Sequence, residues 1–225
     1  MMNFERLNNI DVMVYGTPAQ RHIDTVERQS NDTSTALGRY FQNGSPNILP
    51  PAPRNSSTKT MNELNYIVSR MAESTEDERN YSLLMDNIGE HYEMWANRTT
   101  ELTGKKYDYD WFWNIGNQID GFINYLKTRY NRPRPYQLAP EYGKQIERLV
   151  VDPRTSSYPS GHSMDAWTFA TILSRLHPEL TDEFETLADK ISDTRIVNGV
   201  HYQSDLDAGT IGALYAVNNN LVEVE

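Results

Sequence analysis

From Met61 onward, apolar residues recur at intervals of three and four, the period of a helix that buries one face. Leu64, Ile67, Val68 and Met71 mark a first helix near 60–73. Ser74 and Thr75, followed by Glu76, Asp77 and Glu78, supply a cap and an acidic first turn for a second helix. Its stripe of Tyr81, Leu84, Ile88, Tyr92 and Trp95 runs unbroken toward Asn97. A third helix spans Tyr109 to Tyr130 on Phe112, Ile115, Ile119, Phe122, Ile123 and Leu126. It stops before Pro133 and Pro135, whose rings and missing donors end the hydrogen-bond ladder. Three more helices are expected at Ser160 to Leu176, about Asp182 to Val200 and Asp205 to Val222, with His177-Pro178 and Gly199 as breaks. Alternation of period two, the mark of a strand, is scarce. The pattern predicts an all-α, single-domain helical bundle over 59–225. Residues 1–58 mix short apolar pieces with Asn, Ser, Thr and Pro and close in SPNILPPAPRNSS, so an irregular N-terminal arm is expected there.

Composition narrows what such a bundle does. At 225 residues the chain can bury one substantial core but not two comfortable ones. Twenty-one basic against 31 acidic residues give a net charge of -10, which repels nucleic-acid backbones at long range, so a nucleic-acid polymer is not expected as partner. Any phosphate must be held by a local cluster of cations. Cysteine is absent, which removes thiolate nucleophiles, disulfides and cysteine-bound metals. No run approaches the roughly 18 apolar residues of a membrane span, and the opening MMNFERLNNIDVMVYG has no basic segment followed by an apolar run, so a cytoplasmic location is expected. Homo-oligomerisation is left open.

Three segments interrupt the helical pattern with chemistry. In KTRYNRPRP, Lys127 and Arg134 stand seven apart, two turns if the helix persists, and could grip one anion: Arg as a planar fork, Lys as a point charge. The ordinary reading is that Lys127, Arg129, Arg132 and Arg134 form a solvated basic helix end. Pro159-Ser160-Gly161-His162 opens a helix, with Ser160 as N-cap and Gly161 admitting a ligand close to the backbone. Unpaired N–H groups there bind anions, and His162 could donate a proton to a departing oxygen. An ordinary cap beside a surface histidine explains the same residues. In TRIVNGVHYQSD, Asp205 lies four after His201, where a carboxylate can take one ring N–H and leave the other nitrogen bare, and Gly199 allows a bend that returns Arg195. A surface pair is the bland alternative. Jointly the segments supply cations, backbone donors, nucleophile, orienting acid and leaving-group acid, the content of one phosphoryl-transfer site.

Elsewhere, His22, His91 and His177 belong to no motif, and His177 reads as a helix-end residue. Half of the rings in Tyr107 to Trp113 read as core, although the run could face an aromatic leaving group. No H-x3-H or H-E-x-x-H pattern occurs and Asp205 has no second carboxylate at ligand spacing, so no metal is expected.

The patterns Lys-x6-Arg-Pro, Pro-Ser-Gly-His and Arg-x5-His-x3-Asp resemble the signature of the phosphatidic acid phosphatase type 2 (PAP2) and vanadium haloperoxidase superfamily. SYPSGHS and GVHYQSD look most like its soluble bacterial class A non-specific acid phosphatases. The likeness is strongest over about 105–215 and weak or absent in 1–58; Thr194 stands where the family usually has Ser, and a hydroxyl is retained. The resemblance implies that His201 attacks phosphorus to give a phosphohistidine, that Asp205 orients it, and that His162 protonates the leaving alcohol. It implies that Lys127, Arg134, Ser160, Gly161 and Arg195 hold the phosphoryl oxygens, with no cofactor and with phosphate or vanadate able to occupy the site. The expected function is that of a metal-independent phosphomonoesterase on small phosphate esters, nucleoside monophosphates included. Two alternatives are a vanadium-dependent haloperoxidase using the same pocket and a lipid phosphate phosphatase working at an interface. A phosphate-binding protein without catalysis would need the cations but neither His201, His162 nor Asp205.

Overall fold

The computed structural model describes Ile10, residues 38–40 and residues 47–224. Eight α-helices and two 3₁₀ turns make up its regular structure from residue 58 on, and no strand occurs among the described residues, as the apolar period requires. The helices are α1 (Thr58–Glu73), α2 (Glu76–Leu84), α3 (Ile88–Thr103), α4 (Tyr109–Tyr130), α5 (Pro135–Leu138), α6 (Gly161–Leu176), α7 (Thr181–Val197) and α8 (Gln203–Asn218). Most of the arm expected over 1–58 lies outside the described residues, as does His22; of the remainder, 38–40 is helical and 47–57 carries no helix.

Helix α6 is central, packed against α4, α7 and α8. Its Met164, Ala166, Phe169, Ala170 and Leu173 are fully buried, and Phe169 meets the rings of Tyr92, Trp95 and Phe112 edge-on at 5.0–5.7 Å. Helix starts follow cap chemistry: the hydroxyl of Ser57 accepts from the Thr60 N–H, Asp108 from Trp111, and Thr75 with Glu78 forms a reciprocal capping box.

One expected helix is two. The stripe from Tyr81 to Trp95 breaks at Met85–Asn87, where the Asn87 side chain accepts from the N–H groups of Gly89 and Glu90 and starts α3 afresh. Spacing carried the apolar stripe across this corner, while the cap, a local polar competitor for the backbone, ended the helix. Smaller adjustments occur at α7 and α8. Helix α7 ends at Val197 because Gly199 adopts φ +69°, and α8 starts two residues before Asp205 and ends at Asn218.

The α6–α8 contact is close because of Gly209. A Cβ there would lie 2.8 Å from the Ser160 carbonyl oxygen and 2.9 Å from Ser163 Cβ, both backbone-anchored. Gly209→Ala is therefore expected to force the helices apart and cost about 1–3 kcal/mol, read as a fall of several degrees in Tm. An unchanged Tm would show that the seam can give.

Candidate active site

The three chemical segments meet at the ends of α4, α6 and α8. Helix α4 stops at Asn131, a left-handed cap at φ 43°, so Lys127 stays on the last helical turn while Arg134 leaves the helix. They converge nonetheless: the Lys127 ammonium donates to the carbonyls of Ser156 (2.8 Å) and Pro159 (2.7 Å), and Arg134 donates to those of Thr155 and Val200 (both 2.8 Å). Gly161 lies over the Lys127 stem, where a Cβ would be 3.8 Å from Lys127 Cε. Ser160 caps α6 as expected, accepting from the Ser163 N–H, and its own N–H donates to the Asp205 carbonyl at 2.9 Å. The second and third segments are thus tied by a backbone bond.

His201 and Asp205 form the expected pair. Nδ1 lies 3.3 Å from Asp205 Oδ2, and Nε2 lies 3.1 Å from Arg134 Nη1. A guanidinium only donates, so Nε2 is the bare nitrogen and Nδ1 carries the proton toward Asp205. Burial and the neighbouring Arg134 push the imidazole's pKa well down, against the pull of Asp205. His162 is likewise held well below the usual histidine range by burial, Arg195 and His91. Its Nε2 sits 3.2 Å from the carbonyl of Asp86; a carbonyl only accepts, so this nitrogen is protonated. Lys127 is pushed well down by burial and by Arg134, with Arg195 adding to the effect and Asp205 opposing it. The site is therefore one electrostatic unit with cations in excess, a setting that favours an oxyanion.

Arg195 is 2% exposed. Its Nη2 donates to Asp86 Oδ1 at 2.7 Å, while Nε and Nη1 have no hydrogen-bond partner among the described residues. Two buried donors of a planar fork with nothing to bind are costly unless an acceptor arrives, and a phosphoryl group matches their geometry. Thr194 turns its hydroxyl to the Ile191 carbonyl of its own helix, so it serves α7.

Three participants escaped the sequence reading. Its place in the run puts Arg132 in a solvated basic helix end, but it is 3% exposed and donates to Asp205 Oδ1 (2.7 Å), Glu63 Oε2 (3.2 Å) and Ser204 Oγ (2.8 Å) while its guanidinium stacks on Tyr202. Lys127 and Arg134 are buried too, which leaves Arg129 as the exposed member of that run. Asp205 accepts further from Ser157 Oγ and the Tyr202 N–H. Burial alone would raise its carboxyl, but Arg132 and the hydrogen bonds from His201 and Ser157 win and hold it well below the usual range. His91, motif-less in sequence, lies fully buried with its ring stacked 5.7 Å from His162, takes the Trp95 indole N–H at 3.0 Å, and is pushed down to about 3 by burial and Arg195. Asp86, at the unforeseen helix corner, touches both Arg195 and His162. His177 is the helix-end residue expected, capping α6 and bonding Tyr107 at 2.8 Å; in the aromatic run Phe112 is core and Trp113 is 40% exposed.

No helix among the described residues is long and apolar enough to cross a membrane, and none of their His, Asp and Glu side chains form a group of three or more that could hold a metal ion.

Comparison with known proteins covers the stretch that carries this site. The chain is 36% identical over 94 residues to the non-specific acid phosphatase of Providencia stuartii, covering 40% of this chain and 37% of that protein. It is 34% identical over 89 residues to the non-specific acid phosphatase of Salmonella typhi, covering 39% and 36%. The matched segment therefore spans little more than a third of those relatives' length. Among solved structures, a bacterial vanadium-dependent iodoperoxidase superposes with a TM-score of 0.59 at 17% identity, over 78% of this chain and 52% of that one, a likeness of fold. The PAP2 superfamily profile matches residues 116–218, the stretch from mid-α4 to the end of α8 that carries all three segments. Residues 116–218 therefore match the PAP2 superfamily, and the all-α architecture is in keeping with that match.

Proposed function

We propose that this protein is a phosphatase that hydrolyses monoesters of small polar alcohols, nucleoside monophosphates among them, through a phosphohistidine on His201 and without a metal ion. The observation that carries this reading is the bare Nε2 of His201 set beside Arg134, in a site where Arg195 keeps two buried donors unpaired. The acid phosphatase relatives support the reaction class. Nε2 attacks phosphorus as the bond to the leaving oxygen breaks, and charge gathering on the equatorial oxygens is met by Lys127, Arg134, Arg195 and the start of α6. His162 gives its proton to the leaving oxygen; water then attacks the phosphohistidine, returning a proton to His162 and releasing phosphate.

The depressed pKa of His162 favours a particular source for that first proton. His162 is neutral in the free site at pH 6–7, with its Nε2 hydrogen on Asp86, so Nδ1 must take up a proton. A phosphate monoester with its second pKa near 6 carries one as the monoanion. kcat/KM is accordingly expected to be highest at mildly acid pH and to fall as the monoanion disappears above about pH 6.

The test is release of phosphate by EDTA-treated protein from nucleoside monophosphates, sugar phosphates, a soluble lipid phosphate and an aryl phosphate, with and without vanadate. Metal-independent, vanadate-sensitive release is expected. No release from any ester, or bromide oxidation by the vanadate-loaded protein in its place, overturns the reading.

A further inference from the structure

We infer that Asp86 is a charge filter on the leaving group, so that the esters accepted are those whose alcohol part is neutral or cationic. The inference rests on the anion pocket described above and adds to it which substrates reach His162. Asp86 occupies the corner between α2 and α3 and touches both the phosphate fork and the proposed acid: its carboxylate binds Arg195 Nη2 at 2.7 Å and its carbonyl lies 3.2 Å from His162 Nε2. The leaving group departs from the Nδ1 edge of His162, and the Asp86 carboxylate, held on Arg195 Nη2, borders the fork that grips its phosphate. The carboxylate side chain keeps 31% of its surface exposed and is ready to meet an incoming group.

Asp205 and Asp86 have separate tasks. Asp205 is fully buried, bonded to Arg132, Ser157, Tyr202 and His201, and lies on the nucleophile side. Asp86 lies on the opposite, acid side, with Arg195 as its ion-pair partner. Once a phosphoryl group engages Nε and Nη1 of that fork, the single cation is shared between two anions. The Asp86 charge then acts on whatever the phosphate is attached to. A carboxylate or second phosphate on the alcohol part therefore meets a negative field, whereas a hydroxylated or ammonium-bearing one does not.

The experiment compares binding of phenylphosphonate and para-carboxyphenylphosphonate, both non-hydrolysable, by calorimetry to the wild-type protein and to Asp86→Asn, which keeps the oxygen that accepts from Arg195. Like charges about 6 Å apart at a half-exposed site are worth on the order of tenfold, so wild type is expected to prefer the uncharged ring about tenfold. Asp86→Asn should shrink the preference to threefold or less, and Asp86→Glu should keep it. High ionic strength should narrow it in the wild-type protein without any substitution. A preference that is absent in wild type, or unmoved by both Asp86→Asn and salt, overturns the filter and leaves the pocket standing. Failure of both phosphonates to bind wild type overturns the pocket itself.

Discussion

His201→Ala is expected to lower turnover of every ester by about four orders of magnitude or more while the protein still binds phosphate within about tenfold of wild type. The split follows from geometry. Removing the imidazole takes away the bare Nε2, the atom proposed to form the covalent bond, but Lys127 keeps its carbonyl ligands and Arg195 its two unpaired donors, so the oxyanion cradle persists. An alkaline denaturing quench of the wild-type reaction should trap a base-stable, acid-labile phosphoenzyme that the variant lacks, and added imidazole should restore part of the rate by entering the vacated space. Turnover within tenfold of wild type in the variant would mean that another group attacks phosphorus.

Arg132→Met is expected to be the most destabilising single change in the site, by about 3–5 kcal/mol, because it strands two buried carboxylates at once. Glu63 and Asp205 are both under 9% exposed on their side chains, and Arg132 is the cation that bridges them. Against the 5–15 kcal/mol of a typical domain, the loss should show as a marked fall in the urea midpoint. The pH dependence has a definite sign. Arg132 holds the Asp205 carboxyl below its usual range, so this contribution is present above pH 4 and is lost as pH falls toward the folded value. In the variant burial dominates and raises that carboxyl, so the stability gap between variant and wild type should begin to narrow as pH falls through that raised value, above about 4, and go on narrowing below it. A gap constant with pH would point to lost packing against Tyr202 rather than to charge. Adding Glu63→Gln should recover part of the loss, since one stranded charge is removed.

The helices were legible where period and cap agree. Helix α4 begins and ends at Tyr109 and Tyr130 as spacing predicts, because Asp108 caps one end and the Arg-Pro run stops the other. The corner at Met85–Asn87 was not legible, since Leu84 and Ile88 keep helical spacing straight across it and only the Asn87 cap betrays the break. The same distinction separates the site residues. Lys127, Arg134, Ser160, Gly161, His162, Arg195, His201 and Asp205 stand in short local patterns whose chemistry is readable, and the fold brings their segments together. Arg132 stood in plain view but its meaning depends on Glu63, 69 residues earlier in the chain. Asp86 depends on Arg195, 109 residues later. His91 depends on a ring stack with His162 that no spacing rule reports. Such partnerships arise when elements pack, and a single sequence carries no local trace of them.

The bond from the Ser160 N–H to the Asp205 carbonyl, together with the contact that Gly209 permits, joins α6 and α8 without play. His162 and His201 sit at the start of one of these helices and just before the other. They therefore ride on a common chassis, and the span between the proposed nucleophile and the proposed acid is set by backbone. On the proposed function, accommodation of larger or smaller alcohols falls to the α2–α3 corner, which meets Arg195 through the Asp86 carboxylate and His162 through the Asp86 carbonyl. Lengthening or shortening the chain at Met85–Asn87 is thus a route to altered selectivity that leaves the reacting distances as they are.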